Sequence, residues 1–265
     1  AAPRRRAGGA AVTAWVDGRI VADGALPRRA GVAPFETMGA RGGELPLWDR
    51  HLARLRGSVA RLGLPWREPA SLRAAAMDLL RANDRGDGVL RLAVVPTADG
   101  VSTALVVRAR SPVKVVQLLP TVVERPADAP PGDLKAEPRG YYDAVRQQAQ
   151  DGKADDGLVL ARDGALLETA LGNLWLFVDG GWVTPALDGR VLPGIARALL
   201  CDGLRARGLA VDERACDLGD LHRAQALAVC NAVHGPRPAC LVDQPADAAP
   251  TARDLLPIWR AAFGG

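Results

Sequence analysis

Strand-length apolar runs alternate along this chain with helix-length amphipathic stripes, and that alternation most narrows the folds open to it. Trp15-Val16-Asp17-Gly18-Arg19-Ile20-Val21 predicts two short strands around an Asp-Gly hairpin turn. A second hairpin is expected from Phe35–Ala40 and Glu44–Leu47 across Gly42-Gly43. Asp49 is the expected N-cap of a helix with the apolar stripe Leu52, Leu55, Val59 and Leu62, stopped by Gly63 and Pro65. Another helix is expected over Ser71–Asn83, with Leu72, Ala75, Leu79 and Leu80 inward, followed by strands at Val89–Val95 and Thr103–Val107.

Ser111-Pro112 marks a break, giving expected domains of 1–111 and 112–265. Beyond it come a strand at Val113–Leu119, a proline-rich loop at Pro126–Gly132, and a helix at Tyr141–Gln150. Strands are expected at Leu158–Leu160, Leu166–Thr169, Leu174–Val178 and Trp182–Thr184, and a long helix from Ile195 to Gly208. Strands at Ala226–Cys230 and Ala239–Val242 and a helix over Ala252–Phe263 close the pattern. Strand runs with intercalated helices in two halves indicate a mixed α/β (α+β) chain, not a doubly wound nucleotide fold.

Several function classes are excluded early. The net charge is only +4 and the arginines are dispersed, with Arg4-Arg5-Arg6 the single basic run, so nucleic-acid binding lacks its basic stripe and stacking aromatics. No apolar run is long enough to span a membrane. Residues Ala1–Ala10 lack the apolar stretch of a signal peptide and read as a short disordered leader, so a cytoplasmic location is expected. Cys201, Cys216, Cys230 and Cys240 are too widely spaced for a zinc ribbon or a redox pair, and His51, His222 and His234 show no metal-ligand spacing. No bound metal is expected. There is no P-loop and no zincin pair. Gly100-Val101-Ser102-Thr103-Ala104 lacks the final glycine of a nucleophile elbow and reads as a turn.

Lysine is what stands out. Of 34 basic residues only Lys114, Lys135 and Lys153 are lysine. Arginine cannot replace lysine where an amine must lose its proton and form a Schiff base, because the guanidinium stays charged. Lys135 follows the proline-rich loop and stands just before a helical pattern, and Glu168 lies in Leu167-Glu168-Thr169-Ala170-Leu171-Gly172-Asn173.

Arg54, Lys135, Glu168, Gly194 with Ile195, and Asn231 form a dispersed set, each with a use in a pyridoxal-phosphate site. A lysine can hold the cofactor and then serve as base. A carboxylate beside the pyridine nitrogen keeps it protonated. A phosphate is bound by a helix N-terminus and a fixed arginine. Leu192-Pro193-Gly194-Ile195-Ala196-Arg197 supplies the helix start. Singly, each residue reads as well as a surface charge or an ordinary turn; their order along the chain carries the argument.

That order resembles the fold-type IV pyridoxal-phosphate enzymes, which include branched-chain and D-amino-acid aminotransferases and 4-amino-4-deoxychorismate lyase. Phe35-Glu36-Thr37-Met38 is similar to the family's early strand, and His51-Leu52-Ala53-Arg54-Leu55 to its HLxRL helix. Leu134-Lys135 is similar to the cofactor-lysine segment, and Glu168 with Gly172-Asn173-Leu174 to the E-x-x-x-x-N strand. Thr184-Pro185 and Leu192–Arg197 are similar to the TP and LPGI-x-R segments. The chain lacks the family's Arg-Gly-Tyr loop between Val95 and Thr103.

The resemblance implies a two-domain fold with pyridoxal 5'-phosphate at the domain interface, and a homodimer. Lys135 would carry the cofactor, Glu168 would meet the pyridine nitrogen, and Arg54, Gly194 and Ile195 would bind the phosphate. Asn231 would serve both cofactor and substrate, and Arg139 the substrate. Within the family, Thr37, the Lys135–Arg139 spacing and Cys230-Asn231-Ala232 favour the lyase, which releases pyruvate and 4-aminobenzoate on the way to folate. Thr37 would assist the leaving group. An aminotransferase acting on a branched-chain or D-amino acid is the alternative, and a non-catalytic binding protein that kept the fold is a third.

Overall fold

Turn chemistry and apolar alternation place most of the elements where the sequence puts them. The computed structural model describes residues 13–22, 26–112, 114–245, 252 and 254–263. The expected leader Ala1–Ala10 lies outside the described residues, as do Val113 of an expected strand and residue 253 of the expected closing helix. The chain divides after Arg110 into two compact units, with residues 49–51 grouped with the second.

The first unit contains β1 (Thr13–Val16), β2 (Arg19–Ala22), β3 (Ala33–Gly39), α1 (Trp48–Arg61), α2 (Leu72–Ala82), β4 (Val89–Thr97) and β5 (Gly100–Arg108). Its strands pair antiparallel in the order β2-β1-β5-β4-β3. Asp17 and Gly18 both take positive φ, 46° and 92°, as a tight hairpin turn between β1 and β2 requires. One face of this sheet supplies Met38, Leu90, Leu92, Val94, Leu105 and Val107 to a core with Leu52, Leu55 and Val59 of α1 and Leu72, Leu79 and Leu80 of α2.

Three local expectations are corrected here. Asp49 does not cap α1: the N-cap is Leu47, and Asp49 is an acidic residue in the first turn, where it still favours the helix dipole. Phe35–Ala40 and Glu44–Leu47 do not form a hairpin. Gly42-Gly43 closes one isolated bridge, Arg41–Glu44, while β3 takes β4 as its full-length partner. Gly100–Ala104 is not a turn: the turn is Ala98-Asp99, and Gly100 already opens β5, opposite Thr97.

The second unit contains β6 (Val116–Thr121), β7 (Ala136–Glu137), α3 (Gly140–Asp151), β8 (Asp156–Leu160), β9 (Ala165–Thr169), β10 (Asn173–Val178) and β11 (Gly181–Pro185). It continues through α4 (Ile195–Ala206), β12 (Val211–Arg214), β13 (Cys216–Asp217), α5 (Leu218–Arg223), β14 (Ala226–Asn231), β15 (Gly235–Leu241) and α6 (Leu255–Ala261). Nine strands form one mixed sheet in the order β12-β11-β10-β14-β15-β6-β8-β9-β13. The β11–β12, β15–β6 and β6–β8 pairs are parallel. Although β9 and β10 are far apart in that order, the bridge between Thr169 and Gly172 joins the end of one to the start of the other. The sheet must curl to permit this, and the curl sets Glu168 of β9 beside Asn173 of β10.

Helix α3 lies on this sheet through buried Tyr141, Val145 and Ala149. Gly157 makes room for it, because a Cβ there would meet Val145 Cγ1 at 2.4 Å. Among the described residues no helix is long and apolar enough to cross a membrane.

Candidate active site

Three short segments of the second unit build the site. The first is the loop that delivers Lys135. Gly132 presses against the backbone of Arg190, where an added Cβ would meet the carbonyl oxygen at 2.1 Å. The Asp133 N–H donates to the Gly189 carbonyl at 3.2 Å, and the Leu134 N–H to that of Pro131 at 3.1 Å. The lysine-bearing loop is therefore anchored by its own backbone on the loop at 189–190. Lys135 is half-buried, just before β7.

The second segment is the end of β9. Glu168 is 4% exposed, and its carboxylate accepts three hydrogen bonds. Tyr142 Oη donates to Oε1 at 2.6 Å; Asn173 Nδ2 at 3.3 Å and the Leu192 N–H at 3.2 Å donate to Oε2. Burial outweighs these donors and pushes the carboxyl up to about 7, while the fields of Lys135 and Arg125 pull it down. The ammonium of Lys135 thus acts on the Glu168 carboxylate.

The third segment is the start of α4. Gly194 is its N-cap, and no side chain caps the first turn, although Ile195 and Ala196 are buried. The leading N–H groups of a helix need partners, and an anion supplies them. A side chain on Gly194 would displace Asn173, since a Cβ would meet its Oδ1 at 1.9 Å. The same asparagine donates to the Leu192 carbonyl at 2.9 Å, so Asn173 ties the helix start to Glu168. A buried carboxylate, a lysine whose field reaches it and a bare helix N-terminus form a donor set that fits pyridoxal phosphate: amine for the aldehyde carbon, carboxylate for the ring nitrogen, N–H groups for the phosphate.

The remaining expected residues fall as follows. Arg139 sits just before α3, donates to the Ala170 carbonyl at 2.7 Å, and lies 4.6 Å from the Tyr142 ring centroid. Asn231 ends β14; its Nδ2 donates to the Leu171 carbonyl at 3.1 Å, and its Oδ1 accepts from the Val233 and His234 N–H groups. It braces the turn that follows Glu168. Arg197, the last residue of the LPGI-x-R segment, is buried in an ion pair with Glu213 at 2.6 Å and a bond to the Pro185 carbonyl.

Thr37 and Arg54 belong to the first unit. Thr37 alternates with buried Met38, so it stands on the sheet face opposite the helical core. Arg54 makes a two-point pair with buried Glu36, Nε to Oε1 at 2.8 Å and Nη2 to Oε2 at 2.6 Å.

Sequence reasoning missed Tyr142, Arg125 and the linking role of Asn173. Asn173 stood inside a motif already singled out. Arg125 lies in the approach to the proline-rich loop and signals nothing by itself. Among the described residues, no group of three His, Cys, Asp or Glu side chains could hold a metal, and all four cysteines are free and buried.

Comparisons with known proteins place the fold and the family. The Escherichia coli branched-chain amino acid aminotransferase is 19% identical, with 96% of this chain and 94% of that chain covered and a TM-score of 0.83. A T.th. branched-chain amino acid aminotransferase complexed with N-(5'-phosphopyridoxyl)-L-glutamate is 18% identical, covering 96% and 95%, with a TM-score of 0.81. The 4-amino-4-deoxychorismate lyase from Pseudomonas aeruginosa is 26% identical, covering 94% and 98%, with a TM-score of 0.76. No curated protein matches the sequence. The family model for amino-transferase class IV matches residues 33–242, from the start of β3 to just past β15, and the chain belongs to that family.

Proposed function

We propose that this chain is a pyridoxal-phosphate enzyme that converts 4-amino-4-deoxychorismate to 4-aminobenzoate and pyruvate. The observation that carries the cofactor reading is that the segment 189–194 joins three elements: it anchors the Lys135 loop at Gly189, donates from Leu192 to buried Glu168, and opens the uncapped α4. The lyase reading is supported by Thr37 on the face of β3 opposite the helical core, by the Lys135–Arg139 spacing, and by the likeness to the Pseudomonas lyase.

Bound at these residues, pyridoxal phosphate supplies an electron sink for the carbon that bears the substrate's amine. Lys135 holds the cofactor and then takes the proton from that carbon. Glu168, fixed by its three donors, keeps the ring nitrogen protonated. The N–H groups of Ile195 and Ala196 and the guanidinium of Arg54 bind the phosphate, with Glu36 holding Arg54 in one rotamer. Thr37 donates a proton or hydrogen bond to the departing enolpyruvyl oxygen. Arg139 orients a substrate carboxylate, and Asn231 braces the turn facing it. Ring aromatisation drives the elimination forward. The family likeness further suggests a homodimer, to be read from the mass of the protein in solution.

Transfer of an amino group by the same residues is the second reading, favoured by the likeness to two branched-chain aminotransferases. One assay separates them. Purified protein is given pyridoxal phosphate and 4-amino-4-deoxychorismate, and 4-aminobenzoate and pyruvate are followed. Equal release of both supports the lyase. Amino transfer from a branched-chain or D-amino acid to a keto acid, with no 4-aminobenzoate, overturns it.

A further inference from the structure

The hydrogen bonds around Glu168 extend outward to a second layer that the reaction scheme does not use. Tyr142 Oη, which donates to Glu168 Oε1, itself accepts from Arg125 Nη2 at 3.0 Å. Arg125 is held in turn: Nη1 donates to the Pro130 carbonyl at 2.6 Å, and the guanidinium lies 4.1 Å from the Tyr141 ring centroid. Pro130 belongs to the loop that delivers Lys135. The chain of contacts therefore runs from the lysine loop through Arg125 and Tyr142 to Glu168.

We infer that Tyr142, backed by Arg125, is a positioning residue that holds Glu168 as a carboxylate and turns its one open lone pair toward the ring nitrogen. The inference rests on the cofactor reading above. A carboxylate offers about four lone-pair sites. Asn173 and Leu192 occupy Oε2, and Tyr142 takes one site of Oε1, so the open site is on the oxygen that Tyr142 grips. Tyr142 is suited to donate and not to ionise: burial and the neighbouring Glu168 push its own proton affinity far up, above that of a free phenol. Arg125 polarises the hydroxyl from the other side, which strengthens its donation.

The test is Tyr142→Phe, which keeps the ring and removes the donor. In cofactor-free protein, the infrared carboxyl band of Glu168, assigned by its loss in Glu168→Gln, is titrated against pH. The charge-assisted bond favours the ionised form, so its removal should raise the proton affinity of Glu168 about tenfold and move the midpoint up by about one pH unit. Arg125→Gln should move it the same way by less, and it serves where Tyr142→Phe fails to fold. An unchanged midpoint in a folded variant overturns the inference, even where stability falls, because a purely structural tyrosine would leave the midpoint in place. Failure of the cofactor reading looks different: the parent protein would take up no borohydride-fixable pyridoxal phosphate, whatever the Tyr142 variant does to the band.

Discussion

Replacing Glu168 with glutamine removes a carboxyl whose proton affinity is changed by folding. In the unfolded chain that group ionises near 4.5; in the fold, burial holds its proton up to about 7. Below 4.5 both states are protonated and the group contributes nothing to pH dependence. Between the two values the unfolded chain has released the proton and the folded chain has not, so stability falls as pH rises. Above 7 both are ionised and the loss is complete. Each tenfold change in proton affinity corresponds to about 1.4 kcal/mol, so the full loss is about 3 kcal/mol. Glutamine fits the same place: its amide oxygen can accept from Asn173 and Leu192, and its amide N–H can donate to the Tyr142 hydroxyl. The assay is urea unfolding of cofactor-free parent and Glu168→Gln at pH 5, 6, 7 and 8. Other titrating groups are common to both proteins, so the difference between the two curves isolates residue 168. Part of the full loss falls below pH 5, so relative to the variant the parent should lose roughly 2 to 3 kcal/mol across that range. Parallel curves would refute the reasoning, since they would mean that the three donors offset burial in full.

Three further outcomes are expected. Arg54→Ala leaves Glu36, 1% exposed, without its guanidinium and should destabilise the protein by about 3 kcal/mol, with Glu36→Gln in the same chain restoring part of it; urea unfolding of the single and double variants checks this. Gly194→Ala drives a Cβ into Asn173 Oδ1 and should weaken cofactor binding at least tenfold, read from fluorescence titration with pyridoxal phosphate; an unchanged affinity would remove the helix start from the phosphate site. Thr37→Val should lower pyruvate release by about 10²- to 10⁴-fold, the contribution of a positioned proton donor, while cofactor uptake stays intact; a rate equal to the parent's would leave Thr37 as an ordinary strand residue.

Local pattern made much of this molecule legible. Leu72, Leu79 and Leu80 repeat at helical spacing and lie inward on α2, with Ser71 and Asn83 flanking it as N-cap and C-cap. The Asp17-Gly18 turn follows from the residue types alone. Where the sequence misled, long-range pairing decided. Glu44–Leu47 has strand composition, yet β3 satisfies its backbone against β4, and only one bridge remains for the glycine turn. Val211-Asp212-Glu213-Arg214 has no apolar alternation; it becomes β12 through parallel pairing with β11 and through the Arg197 and Arg205 pairs with Glu213. The α5 helix carries a local signal of its own, since Asp217 and Asp220 form a reciprocal capping box.

The site divides along the same line. Lys135, Glu168 and Gly194 could be singled out because each carries a chemical demand that few residue types meet. Tyr142 and Arg125 could not, because a tyrosine in an apolar helix stripe reads as core and an arginine near a proline-rich loop reads as surface. Only the curl of the nine-stranded sheet and the packing of α3 place them behind Glu168.

The central claim is that Lys135 holds pyridoxal phosphate beside Glu168. Reduction of the cofactor-loaded protein with borohydride, followed by proteolysis and peptide mass spectrometry, tests it directly. The expected result is a phosphopyridoxyl group on the peptide containing Lys135, absent in Lys135→Arg because a guanidinium cannot form the bond. The group on Lys114 or Lys153, or on no lysine at all, would contradict the claim.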